Sequence, residues 1–268
     1  MGSLIGLTAD DFTFARVEQA AQAYAQQGQG TVLVGFDTRF LADRFAARVA
    51  GVLLGAGLEA QLSRTALPFP ALRFAVQHLG CQGGVYVGAG SLGAQHNGLE
   101  FLDAAGQSVE VVPMEGVVHL SQTTPATFDI RKSYYDHLAS QLNPEVLAAY
   151  PGPLYHEGLG GAGSGWIAAF CKHAGLPFEV RELHAVPHPS FYGLTPDLSP
   201  NSLRTLLTLL KVEEEHVWGL ATNGDASQVA LARGGGRLLE AAEWATSSSG
   251  DALLDGLRAL QTVVSQGK

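Results

Sequence analysis

The chain has 268 residues, 46% of them hydrophobic and 15% charged, which excludes a disordered polyelectrolyte and allows one or two sizeable cores. Its 16 basic and 25 acidic residues give a formal charge of −9 without a basic run, so neither nucleic acid nor an anionic membrane is an expected partner. Cys81 and Cys171 stand in neither a Cys-x-x-Cys nor a Cys-His pattern, which gives no disulfide framework and points to a reducing compartment. The first residues, Met1 to Asp11, carry no basic and apolar leader pattern, and no apolar run approaches the roughly 20 residues of a spanning helix. A soluble, cytoplasmic, acidic protein is expected.

Residues Thr31 to Phe36 predict a buried strand, β-branched and ended by Gly35 and Asp37. From Arg39 to Leu54 apolar residues recur at helical spacing (Phe40, Leu41, Phe45, Val49, Val52, Leu53), and Gly55 and Gly57 close the helix. Glu59 to Leu62 reads as a second strand, Pro70 to His78 as a helix and Gly83 to Val87 as a third strand. Strands alternating with helices imply an α/β fold with a mainly parallel sheet covered on both faces. Between Asn97 and Val112 two short strands flank a hairpin turn at Ala105-Gly106. Pro113 to Asp129, rich in Ser, Thr and Pro, reads as a connection, followed by a helix from Ile130 to Leu142.

Asn143-Pro144 marks a boundary, after which the alternation resumes. Strands are expected at Leu154 to Glu157, Phe178 to Leu183 and Val217 to Ala221, with a helix at Trp166 to His173. A long helix should open at Ser199-Pro200 and run through Leu210, with Ser199 as N-cap. A hairpin of 229–232 with 237–240 and a helical tail from Leu253 to Val264 complete the reading. Two α/β domains are expected, residues 1–142 and 143–268.

Several motifs invite a chemical reading. Gly158 to Gly163 matches G-x-G-x-x-G between a predicted strand and helix, with Glu179 and Glu182 at about the ribose-binding distance. In a chain with 33 glycines a tight strand-to-helix turn is the better reading. His184 and His188 have metal-ligand spacing for a helix, but Pro187 and Pro189 forbid that helix. Glu213-Glu214-Glu215 reads as a solvated helix end, and Ser91 has no Gly-x-Ser-x-Gly elbow for a hydrolase triad. Two loops stand out at the carboxyl ends of strands, where open α/β sheets bind ligands: Val87 to Glu100 and Thr222 to Gln228.

These loops carry a family resemblance that runs nearly end to end. Val34-Gly35-Phe36-Asp37-Thr38-Arg39 resembles V-G-x-D-x-R of the α-D-phosphohexomutases, the phosphoglucomutase/phosphomannomutase family. Pro68-Phe69-Pro70-Ala71-Leu72 resembles its P-T-P-A-L segment, and Asn97-Gly98 the Asn-Gly after its active loop. Gly161 to Gly165 is similar to its glycine turn, Pro187 to Leu203 to its P-x-P … P-x-P-E-N-L passage, and Thr222 to Gln228 falls on its metal loop. The resemblance implies the family's first two domains, two α/β/α units with mixed, mainly parallel sheets.

Family members interconvert hexose 1- and 6-phosphates through a phosphoserine, with a cation offsetting charge on the transferring group. Here the resemblance breaks. Aligned on Thr-Ala-Ser-His-Asn-Pro, Gly88 to Gly93 puts Gly90 at the serine and Ser91 at the histidine. On Asp-Gly-Asp-x-Asp-Arg, residues 223–228 keep only Asp225 of three carboxylates, with Asn223, Ser227 and Gln228 beside it. An early family arginine falls on Ile5, and the lysine after Asn-Gly falls on Glu100. By length, the family's third and fourth domains are expected to be absent.

No catalytic residue, cofactor or metal is therefore expected. Arg39, Gly90, Ser91, His96, Asn97, Asn223 and Asp225 are the candidates for any remaining ligand contact, although Arg39, Asn97 and Asp225 can equally hold neighbouring backbone. The favoured reading is an inactive two-domain relative acting as a binding, scaffold or regulatory protein. One alternative is a remnant enzyme or sugar-phosphate binder, with Ser91 as a shifted nucleophile. Another is one part of a split mutase completed by a partner chain. The apolar stripe Leu253, Leu254, Leu257, Leu260, Val263 and Val264 either covers its own domain or forms a homodimer or partner interface, and association is preferred.

Overall fold

The computed structural model describes residues 4–244 and 249–266. They form two compact units. The first holds the chain up to Ala89 together with Gly93–Arg131, and the second holds Gly90–Leu92 and the chain from Lys132 onward.

The first unit runs β1 (Leu4–Leu7), α1 (Phe14–Ala25), β2 (Thr31–Phe36), α2 (Ala42–Gly55), β3 (Glu59–Ser63), α3 (Phe69–His78), β4 (Gly83–Val87), β5 (His96–Leu102), β6 (Ser108–Val109) and β7 (Ala126–Phe128). The sheet order is β1-β5-β4-β2-β3-β7, with β6 on β5. Its centre is parallel, β4, β2, β3 and β7, while β1, β5 and β6 pair antiparallel. Val32, Val34, Val85 and Val87 bury one sheet face against α1 and α2 through Val17, Ala21, Phe45 and Val49. On the opposite face Leu72 and Val76 of α3 lie against β2 and β4.

Two local differences from the sequence reading have clear causes. The helix expected from Arg39 begins at Ala42, because Arg39 folds back on Asp37 and Leu41 adopts φ +64. The connection 113–129 contains β7, a three-residue edge strand parallel to β3 and too short to leave a pattern. The rest of that connection straps α2, where Ser121 N–H donates to Gly51 O at 3.0 Å. A Cβ on Gly55 would stand 1.9 Å from His119 O, so only glycine lets the strap lie this close.

The second unit contains α4 (Arg131–Ser140), α5 (Pro144–Ala148), β8 (Leu154–Glu157), α6 (Trp166–His173), β9 (Val180–Leu183), α7 (Arg204–Leu210), β10 (Trp218–Thr222), β11 (Val229–Arg233), β12 (Arg237–Leu238), α8 (Ala241–Trp244) and α9 (Ala252–Ser265). Its sheet order is β12-β11-β10-β8-β9, with β8, β9 and β10 parallel. α4 belongs to this unit from Lys132 onward because Tyr134 and Tyr135 pack edge-on against Trp166 of α6. Asn143-Pro144, read as a boundary, is the N-cap and first turn of α5, with Asn143 Oδ1 accepting from Glu145 and Val146 N–H.

The long helix expected from Ser199 is shorter, starting at Arg204. Asp197 Oδ1 takes both the N–H and the hydroxyl of Ser199, at 3.1 and 2.6 Å, and holds the preceding residues in turns. The tail is helical as expected. Leu253, Leu254, Leu257 and Leu260 are buried within the second unit, where α9 packs on α5, β10 and β11. Each such burial contributes roughly 1.5–3 kcal/mol, so this stripe is spent inside the unit. No helix among the described residues is long and apolar enough to cross a membrane.

Candidate functional site

The sequence candidates fall into two groups, one in each unit. In the first, Arg39 is buried and its guanidinium is consumed locally. Nε donates to Asp37 Oδ2 at 2.8 Å, and Nη1 donates to the carbonyls of Gly93 and His96 at 2.8 and 3.2 Å. Asn97 is fully buried, and its Nδ2 donates to Thr8 Oγ1 and Phe40 O at 2.9 and 3.0 Å. His96 Nδ1 lies 3.3 Å from Gly93 O. Arg39 and Asn97 thus tie the loop after β4 to the segment after β2, which is the work that loops at strand ends demand.

The second group joins Gly90 and Ser91 to the loop after β10. Gly90 has φ +54, and a Cβ added there would stand 3.7 Å from Asp225 Oδ2. Asn223 is buried. Its Nδ2 donates to Ser91 Oγ at 3.1 Å and Ser227 Oγ at 3.3 Å, while its Oδ1 accepts from Gln228 N–H at 3.0 Å. Asp225 Oδ1 accepts the N–H and hydroxyl of Ser227 at 3.1 and 2.7 Å. Ser91 Oγ in turn donates to Gln228 Oε1 at 3.3 Å. An amide oxygen is no base, so nothing in this contact activates Ser91 as a nucleophile.

A third cluster was not legible in sequence as a unit. At the carboxyl ends of β8 and β9, Glu157 accepts from Leu159 N–H at 2.8 Å and pairs with His184 Nδ1 at 2.9 Å. His156 Nδ1 pairs with Glu182 at 2.8 Å, and its Nε2 meets Thr222 Oγ1 at 3.3 Å. Burial acts to raise the Glu182 carboxyl. The His156 charge and hydrogen bonds from His156, Ala168 and Gly165 outweigh it and hold the carboxyl below its usual value. Left-handed non-glycine residues gather around these strand ends: Leu159, His184, Phe191, Tyr192 and Ala226. Such strain persists only where neighbouring bonds impose it, and Glu157 bonds two of these residues.

The same cluster decides the glycine motif. Glu182 accepts from Gly165 N–H at 3.3 Å and Ala168 N–H at 3.1 Å, filling the start of α6 where a pyrophosphate would sit. The 158–163 segment is therefore a strand-to-helix turn closed by the chain's own carboxylate. His184 and His188 flank Tyr192, with ring centroids 4.9 and 4.6 Å from it. Among the described residues no group of three or more His, Cys, Asp or Glu side chains could hold a metal.

The fold, two α/β/α units with their candidate loops at strand carboxyl ends, defines a class that comparison with known proteins makes specific. The family model of the phosphoglucomutase/phosphomannomutase alpha/beta/alpha domain I matches residues 4–123, and that of domain II matches residues 132–236. This chain belongs to the phosphoglucomutase/phosphomannomutase family. A crystal structure from Thermus thermophilus, provisionally named a phosphomannomutase, is 29% identical and superposes with a TM-score of 0.92, covering 99% of this chain and 79% of that one. A Methanobrevibacter smithii protein, provisionally named a phosphoglucosamine mutase, is 26% identical over 75% of this chain and 46% of its own length. A phosphoglucomutase of Staphylococcus saprophyticus is 31% identical over 35% of this chain and 18% of its own. The chain thus spans less than half the length of these curated relatives.

The family's cation can be tested against the residues present. Divalent magnesium needs hard oxygen acceptors, usually including carboxylates. The loop after β10 offers one carboxylate, Asp225, whose Oδ1 already accepts two bonds, and turns the Asn223 amide N–H into its own centre. This donor set does not fit the ion.

Proposed function

We propose that this chain does not carry out the family's phosphoryl transfer and acts instead as a binding, scaffold or regulatory protein. The observation that carries the reading is the Asn223 amide. Its Nδ2 donates to Ser91 and Ser227, closing with hydrogen-bond donors a loop in which a cation requires acceptors. Gly90 supplies no hydroxyl at the position that the resemblance assigns to the nucleophile, and Ser91 faces an amide oxygen. The nucleophile position and the cation loop thus both depart from the one mechanism, and each departure would cost orders of magnitude in rate.

A coupled assay with glucose 1-phosphate or mannose 1-phosphate, magnesium and a bisphosphate activator should show no turnover. Millimolar magnesium should leave the thermal midpoint unchanged, because only a ligand bound to the native state raises it. Turnover that disappears in Ser91→Ala, or a magnesium-dependent rise that Asp225→Ala abolishes, would overturn the proposal. The apolar side of α9 is buried within the second unit, so a homodimer or partner interface through this helix would use its remaining, more exposed positions.

A further inference from the structure

The parallel register of β8 and β9 sets Glu157 opposite Leu183, the residue before His184. Glu157 is fully buried, and a carboxylate only accepts hydrogen bonds. It accepts from Leu159 N–H at 2.8 Å, and both its oxygens lie 2.9 Å from His184 Nδ1. The ring proton therefore sits on Nδ1, and Nε2 carries the lone pair. The His184 side chain is 23% exposed, and its Nε2 is open to solvent with no hydrogen-bond partner among the described residues.

His184 has φ +43 and Leu159 φ +53, so both residues that bond Glu157 stand in the left-handed region. Strain of this kind collects where a side chain has to be aimed. An imidazole with a buried carboxylate on Nδ1 is an oriented nucleophile, because the carboxylate offsets the positive charge that the ring gains when Nε2 forms a bond. The Tyr192 ring is 42% exposed, with its centroid 4.9 Å from that of His184, and gives an uncharged molecule an apolar surface to rest on. Among the described residues no Lys or Arg pairs with Glu157 or His184, so an incoming phosphate would meet a carboxylate with no cation to offset its charge.

We infer that His184 is a nucleophile that takes the acyl group of small uncharged aryl esters and passes it to water. Nε2 forms a bond to the acyl carbon as the ester C–O bond breaks, and the aryl oxide leaves with the bonding pair. Water then adds to the acyl carbon, and the N–C bond breaks with its pair returning to Nε2. A carboxylic acid and one proton leave, the proton matching the charge of the aryl oxide. The loop after β10 takes no part, so this activity stands or falls independently of the proposed function.

The test uses the full chain with 4-nitrophenyl acetate, and with 4-nitrophenyl phosphate as the anionic control. Saturable release of nitrophenolate from the acetate, and none from the phosphate, is expected. His184→Gln retains a donor for Glu157 and should cut turnover roughly a hundredfold, the lower end of what a positioned catalytic group contributes. Glu157→Gln should lower kcat with KM little changed, because Glu157 positions His184 and does not touch the ester. Labelling of the parent protein with diethyl pyrocarbonate, read by peptide mass spectrometry, needs no variant. Of the 9 histidines His184 should be modified first, with turnover lost in step. Absence of saturable turnover, turnover unchanged in His184→Gln, or labelling of His184 no faster than of the exposed His119 would overturn the inference. So would hydrolysis of the phosphate ester at a comparable rate.

Discussion

At the residue scale, the second unit's buried histidine–glutamate pairs determine how its strand ends are held. Glu182 joins β9 to His156 on β8 and to the first N–H groups of α6, so its carboxylate satisfies three elements at once. Breaking a buried pair by removing one charge typically costs 3–5 kcal/mol. Glu182→Gln is therefore expected to lower unfolding free energy by about 3 kcal/mol at pH 7. The carboxyl is held below its usual value in the folded state. Its contribution is thus present above the unfolded carboxylate pKa and disappears as pH falls through the lower folded value. Urea unfolding of both proteins across pH 2–7 should show their stabilities converging on the acid side. A constant difference over that whole range would refute the assignment.

Elements are held as much by close approach as by propensity. α2 carries Gly51 and Gly55 four residues apart on the side covered by the strap, where Ser121 bonds Gly51 O and His119 O overlies Gly55. Alanine favours an isolated helix, by about 1 kcal/mol over glycine. At Gly55 that preference should be reversed, because the new methyl group has backbone in its place. Gly55→Ala is expected to destabilise the first unit by about 2 kcal/mol, as overpacking does, and to speed limited proteolysis within residues 113–125. A variant more stable than the parent, with an unchanged cleavage pattern, would show that the strap does not depend on this contact.

For the whole molecule, each unit owns a sheet and a core. In the second unit α9 packs on α5, β10 and β11, α6 on β9, and α7 gives Leu206 and Leu210 to a core cluster drawn from that unit. Residues 132–268 alone should therefore fold cooperatively, with a single thermal transition in circular dichroism and a fixed near-ultraviolet tryptophan signal. A fragment with helical far-ultraviolet but no near-ultraviolet signal would mean that the unit is not self-sufficient. The loss expected from this cut is the tether from Asn223 to Ser91, since Gly90–Leu92 joins the second unit from a distant part of the chain.

The strands at 31–36, 83–87 and 154–157, the α6 and α9 helices and the family membership were all legible in the sequence. Local apolar period, glycine punctuation and ordered motif segments are properties of neighbouring residues. The departures from the family resemblance at Gly90, Asn223 and Ser227 could likewise be read as letters. Tertiary structure alone decided what those letters do. Asn223 meets Ser91 across more than a hundred residues of chain, Glu182 rather than a nucleotide caps α6, and the α9 stripe turns inward. β7, the shortened α7 and the Glu157–His184 pair were equally beyond local reading. Pairing register and competing side-chain bonds fix them, and both depend on partners that sequence spacing does not reveal.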